Sequence, residues 1–248
     1  MSDPFAAHLL AGVPADRVRA ILERAGGNEI ASGKFASPES SAALAVNGFG
    51  SFLDRPAELP PVPPLADLDS PATRVDGERQ MRFAWSGGSN PWRDAAAETA
   101  GHPVGVDSKR YDRYRDAKQA NLSDTYERDV WGEGMGAWFD MRDHLRAQSR
   151  NYRHLAAAQL VKRALGVVTE ERRIGKALLM LYLFAMWTTG RVIAPKSIVR
   201  HREKISRFAA AVSGNSVRFA ACSWREWLGA FEGKVYLHVD RMLERYAP

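Results

Sequence analysis

Asp107 and Lys109 close the short apolar run Val104-Gly105-Val106, and Asp94 stands upstream in Pro91-Trp92-Arg93-Asp94. If the run is a β-strand, residues two apart point to the same face, roughly 6.5–7 Å from each other. Asp107 and Lys109 then look the same way. A hairpin joining this strand to the preceding one can set Asp94 beside Asp107. Two adjacent carboxylates repel unless a cation lies between them, and hard oxygen ligands suit Mg²⁺. A lysine beside that ion can orient or deprotonate a water, or neutralise charge building on a phosphate. The bland counterpart is a solvated Asp–Lys pair worth under ~1 kcal/mol.

Other chemistries fail on spacing. Gly27 to Lys34 superficially resembles a phosphate-binding loop, but five residues separate its glycines, and Phe35 stands where a Ser or Thr must hold magnesium. Gly87-Gly88 opens no dinucleotide fingerprint. The six histidines are scattered and Cys222 is alone, so no zinc spacing exists. No G-x-S-x-G elbow is present.

The elements that must position these residues are legible in outline. Val18, Ile21, Leu22 and Ala25 share a helical face over Pro14 to Ala25, with Gly26-Gly27 as the stop. Ser37-Pro38 announces a second helix with the face Ala42, Ala45, Val46, Phe49 and Leu53. Leu59 to Leu65, L-P-P-V-P-P-L, cannot continue it. Three strands are expected next: Arg79 to Trp85, Trp92 to Glu98 and Val104 to Lys109, separated by Gly- and Pro-rich turns. Arg110 to Arg153 is polar, aromatic and helical in pattern, too long for a plain loop. Its Trp131, Trp138 and Phe139 read as core before they read as base-stacking platforms. A helix over Leu155 to Leu165, stopped by Gly166, leads to Ala177 to Trp187, an apolar run suited to a strand buried on both faces. A helix at Ser197 to Val212, a strand at Ser216 to Ala221 and a helical end complete an α/β (α+β mixed) fold, a central mixed sheet flanked by helices in the order αβββαβ.

The 248 residues suit one domain over 1–248, and 45% hydrophobic with 26% charged residues supplies a real core. A formal charge of +6 favours an anionic partner, weakly. A single cysteine fits a reducing compartment. The N-terminus lacks a signal-peptide pattern, and the longest apolar run is too short to span a bilayer. The expectation is a cytoplasmic protein without a membrane partner.

From about Gly26 to Trp187 the chain resembles the PD-(D/E)XK nuclease superfamily, closest to a bacterial restriction-endonuclease-like group. The resemblance rests on N-E-I-A-S-G-K-F-A-S-P-E-S-S-A-A-L-A-V-N-G-F, G-G-S-N-P-W-R-D-A-A-A-E, V-G-V-D-S-K-R-Y-D-R-Y-R-D-A-K and H-L-A-A-A-Q-L-V-K-R-A-L-G. It implies a restriction-endonuclease-like core with a helical insertion at about 110–153, and a metal-dependent endonuclease that hydrolyses phosphodiester bonds in DNA. Asp94 matches the motif's first acid, Asp107 its second, and Lys109 its lysine. Glu29 matches an extra acidic metal ligand near the first helix, and Gln159 a polar helix residue that supports the site. Mg²⁺, or Mn²⁺ in its place, would be held by Glu29, Asp94 and Asp107. Asp stands at 107 where the nearest group usually has Glu, one methylene longer. That departure keeps a second reading in view, a weak or inactive member of the fold that binds nucleic acid or assembles complexes.

Beside this motif the basic residues gain a role. Arg110, Arg113, Arg115 and Lys118 follow it directly, and Lys162 lies in a second basic stretch, all of them types that contact phosphates. The resemblance further implies defence against foreign DNA, as a homodimer or inside a multi-protein complex.

Overall fold

A computed structural model gives the fold; it describes residues 3–26, 28–68, 71–81, 92–110, 121–152, 154–174, 178–185, 193–214, 216–231 and 233–247. The chain is mixed α/β, with a five-stranded mixed sheet flanked by helices. Helix α1 (Ala15–Ala25) ends where Gly26 turns left-handed at φ 72°, a conformation that costs glycine little. Helix α2 is Ser41–Gly50. Its cap is Ser40, whose side chain accepts from the Ala43 N–H, so the helix begins later than Ser37-Pro38 suggests.

The strands are β1 (Ala72–Asp76), β2 (Arg79–Gln80), β3 (Trp92–Arg93), β4 (Ala95–Thr99), β5 (Pro103–Lys109), β6 (Leu178–Phe184) and β7 (Val217–Ser223). The main sheet runs β1-β4-β5-β6-β7, and β2 pairs with β3 in a small second sheet. β1, β4 and β5 are antiparallel neighbours, while β5, β6 and β7 are parallel. The first strand of the main sheet is therefore Ala72–Asp76, upstream of the expected Arg79 to Trp85. Only Arg79–Gln80 of that stretch forms a strand, and its residues from Arg82 onward lie outside the described residues. A-T-R-V-D carries one strong β-former on its core side, Val75, which is why its periodicity is faint.

β6 shows how the sheet divides the molecule. Leu179, Leu181 and Leu183 face one core, with α1, α2 and the C-terminal helices α6 (Trp224–Leu228) and α7 (Tyr236–Tyr246). Met180, Tyr182 and Phe184 face the other, with α3 (Gly136–Ala147), α4 (Ala157–Ile174) and α5 (Pro195–Ala211). Burying each of these side chains is worth on the order of 1.5–3 kcal/mol. Trp131 and Trp138 are fully buried in the second core, and the Trp138 indole N–H donates to the Val217 carbonyl at 3.1 Å. The inserted segment is thereby bolted to β7.

Gly166 does not stop α4, which continues to Ile174. Val167 and Val168, just beyond it, are buried, and tertiary packing overrides the glycine's cost of about 1 kcal/mol. At Gly105 of β5 an added Cβ would meet Val167 Cγ2 at 3.2 Å, so the missing side chain lets α4 lie close on the sheet. Among the described residues no helix is long and apolar enough to cross a membrane.

Candidate functional site

Strand parity places the acids. Val104 and Val106 of β5 enter the first core, so Gly105, Asp107 and Lys109 face α4 on the opposite side. On β4, Ala95 pairs with Val106, and the Asp94 N–H donates to the Val106 carbonyl at 3.0 Å. Asp94 thus stands level with Asp107, as the hairpin requires. One Asp94 carboxylate oxygen accepts from the Ser108 N–H at 2.7 Å.

The pair is held by cations from its own chain. Lys109 Nζ lies 2.6 Å from Asp107 Oδ1 and 3.7 Å from Asp94 Oδ2. Arg163 of α4 contacts Asp107 directly and approaches Asp94 Oδ2 at 3.3 Å. Asp107 is fully buried, and Arg163 nearly so. Burial pushes the Asp94 carboxyl up, but Arg163, Lys109 and its hydrogen bonds together outweigh this and hold it below the usual carboxylate range. For Arg163 burial acts against the charge, and Asp107 and Asp94 more than restore it.

Two further carboxylates join. β1 pairs with β4 so that Asp76 is opposite Ala96; continuing that register brings Glu78 level with Asp94. The electrostatics agree: burial first, then the charges of Glu29 and Asp94, push the Glu78 carboxyl up to about 7 against the pull of Arg163 and Lys109. Glu29, in the turn after α1, is thus near enough to Glu78 for its charge to act there. Glu78 escaped the sequence reading because the first strand was placed after it. Had Ala72–Asp76 been taken as the strand, the two-residue period would have pointed to it.

The remaining expected residues fall elsewhere. Gln159 is exposed and lines a cleft of about 180 Å³ against the insertion, with Tyr152 and Lys162. The α4 residue at the carboxylates is Arg163, one turn later. Arg110 is a correction. It has the parity of Ser108, its side chain is fully buried, it donates to the Tyr246 carbonyl at 2.9 Å and its guanidinium sits 4.9 Å from the Tyr246 ring centre. A residue so placed cannot meet a phosphate. Lys162 is half-buried, 5.6 Å from the ring centre of Tyr126. Arg113, Arg115 and Lys118 lie outside the described residues.

The donor set suits a hard divalent cation in its chemistry. Buried oxygens of Glu29, Glu78 and Asp107 have no hydrogen-bond partner; Lys109 and Arg163 come within ion-pair distance of Asp107 without a well-directed hydrogen bond to it. Their convergence is less complete: among the described residues no three acidic, histidine or cysteine groups are close enough to ligate one ion. Arg163 presents its own positive charge to Asp107. Comparison with protein-family models, with curated proteins and with solved structures finds no match to the chain.

Proposed function

We propose that this chain is a Mg²⁺-dependent nuclease hydrolysing phosphodiester bonds in DNA, built as one domain on a restriction-endonuclease-like core. The observation that carries the reading is Asp94 facing Asp107 across neighbouring antiparallel strands, with Lys109 on the same face and 2.6 Å from Asp107. Asp94 and Asp107, with Glu29 and Glu78 behind them, are the groups to hold Mg²⁺ or Mn²⁺. The ion, when bound, supplies Lewis acidity to a phosphate and lowers the pKa of a water. Lys109, tethered by Asp107, orients the attacking water and offers its charge to the phosphate oxygens. Ser108 fixes Asp94 through its backbone N–H. The resemblance to restriction-endonuclease-like proteins supports the same chemistry, and defence in the cytoplasm, as a homodimer or in a larger complex, rests on that analogy alone.

One observation favours a second reading. Arg163 contacts Asp107 and stands 3.3 Å from Asp94, so the carboxylates are already neutralised from within. A chain that keeps Arg163 there is a weak or silent nuclease that binds nucleic acid or assembles complexes.

The test is cleavage of linear duplex DNA in Mg²⁺ or Mn²⁺ by wild type, Asp94→Ala and Lys109→Ala. Cutting by wild type alone supports the nuclease. Equal cutting by all three removes the assigned site. No cutting, with DNA bound in a salt-dependent way, selects the second reading.

A further inference from the structure

Several surface arginines among the described residues are paired. Arg17 meets Asp54, Arg19 meets Asp3, Arg55 meets Glu58, Arg146 meets Asp124 and Glu127, and Arg202 meets Glu226. The outer face of α5 instead gathers four cations on one helix. Lys196, Arg200, Lys204 and Arg207 make no ion pair among the described residues. On a helix of 100° per residue they fall within an arc of about 80° and stretch over about 16 Å. His201, Ile205 and Phe208 occupy the buried side. The acid within the stripe is Glu203, which is exposed.

Two of these cations crowd together. Lys204 Nζ lies 5.8 Å, and the Arg207 guanidinium 5.7 Å, from the centre of the same Tyr152 ring. Cation–π attraction to this buried ring offsets part of their repulsion. An anion shared between them removes the rest. The helix that carries the stripe packs, through its buried side, near the candidate site. His201 packs edge-on against Phe184 at 4.9 Å between ring centres, and Phe184 is the β6 partner of Lys109. Tyr152 lines the cleft that also holds Lys162, the residue before Arg163.

We infer that the outer face of α5 is a track for the phosphodiester backbone of DNA, which it binds without reading sequence. This rests on the nuclease reading for its choice of partner. Duplex DNA carries one charge per about 1.7 Å, so a linear stripe of unpaired cations meets phosphates along its whole length. An acidic peptide or a lipid surface has no such built-in spacing.

The test is binding of a labelled duplex of about 20 bp to the full chain in EDTA, between about 50 and 200 mM salt. EDTA prevents cleavage and keeps the outcome separate from the metal chemistry. K196S/R200S/K204S/R207S is expected to lower the slope of log K against log salt by about 3.6, at roughly 0.9 per phosphate contact, and the affinity by at least about tenfold. R17S/R19S/R55S/R146S removes the same formal charge from paired positions and is expected to change the slope by less than about 1. E203K, which needs no surface cation removed, is expected to steepen it by about 1 and so decides the matter if the fourfold variant fails to fold. The inference is overturned if wild type does not bind in EDTA, if the stripe variant keeps the wild-type slope, if both fourfold variants lose equally, or if E203K binds no more tightly. Stripe-dependent binding to phosphatidylserine vesicles without stripe-dependent DNA binding also overturns it. Asp94-dependent cleavage beside a wild-type slope in the stripe variant removes the track and leaves the nuclease.

Discussion

The two faces of β5 put neighbouring residues to opposite uses. Toward α4, Asp107 and Lys109 form a buried ionic cluster with Asp94 and Arg163. Toward the C-terminal helices, Ser108 accepts from the Trp224 indole at 3.3 Å, and Arg110 donates to the Tyr246 carbonyl. Four consecutive polar residues, Asp-Ser-Lys-Arg, thus serve one site and one anchor in alternation. Parity, rather than closeness along the chain, decides which residue joins the charged cluster and which ties the strand down.

Breaking each face separately tests this division. The largest effect is expected from Lys109→Ala and Asp94→Ala, which lower kcat/KM for DNA cleavage by at least about a thousandfold, about 4 kcal/mol of transition-state stabilisation. A cleavage time course in Mg²⁺ reads it. Arg163→Gln comes next: it leaves two buried carboxylates with Lys109 alone, and breaking a buried ion pair costs about 3–5 kcal/mol. Urea unfolding is expected to show that loss. Mn²⁺ is expected to restore more stability to this variant than to wild type. A variant as stable as wild type would mean that Arg163 does not neutralise the pair.

On the other face, Arg110→Ala is expected to cost about 1–3 kcal/mol, because a buried carbonyl loses its partner. Its DNA affinity per folded molecule should stay at the wild-type value, and a selective loss of binding would put Arg110 back among the phosphate contacts.

Strand parity is legible in the sequence, and the ion pairs follow it. It paired Asp107 with Lys109 and set Asp94 beside them. The same count assigns Arg110 to the opposite face, but composition drew it into the basic cluster instead. Glu78 was hidden for a different reason. A strand as poor in β-formers as Ala72–Asp76 is held by its place at the edge of the sheet against β4, a tertiary cause with little local trace. Arg163 lies inside the expected helix Leu155 to Leu165 and its basic stretch, but the family resemblance points to Gln159 on that helix. A position four residues on, along the same helix, only becomes visible once the packing of α4 against Gly105 fixes which way the helix faces the sheet.

Glu78 offers a smaller, pH-dependent test. Its folded pKa, about 7, lies above the ordinary 4.5. Below about pH 4.5 the group is protonated in both states and carries no penalty. As pH rises toward 7 the unfolded chain ionises first, so this group's contribution to stability falls, by on the order of 1 kcal/mol after allowing for its partial exposure. Glu78→Gln should remove that fall between pH 4.5 and 7 in a series of thermal melts. An identical pH profile in the two proteins would place Glu78 outside the cluster. The smallest effect is expected from Ser108→Ala, about 0.5–1.5 kcal/mol from the lost indole bond, with cleavage unchanged.

Gly105 sets a dimension. Because the strand presents only a hydrogen there, the spacing between α4 and the sheet is as small as backbone and valine methyls allow. Arg163 is one turn from Val167 along the same rigid rod, so the reach of its guanidinium is measured from that contact. A methyl group added at residue 105 would act as a shim: it wedges the helix outward by tenths of an ångström and shortens the arm that spans the carboxylates. The tolerance of the charged cluster is thus set by an uncharged residue that touches none of it.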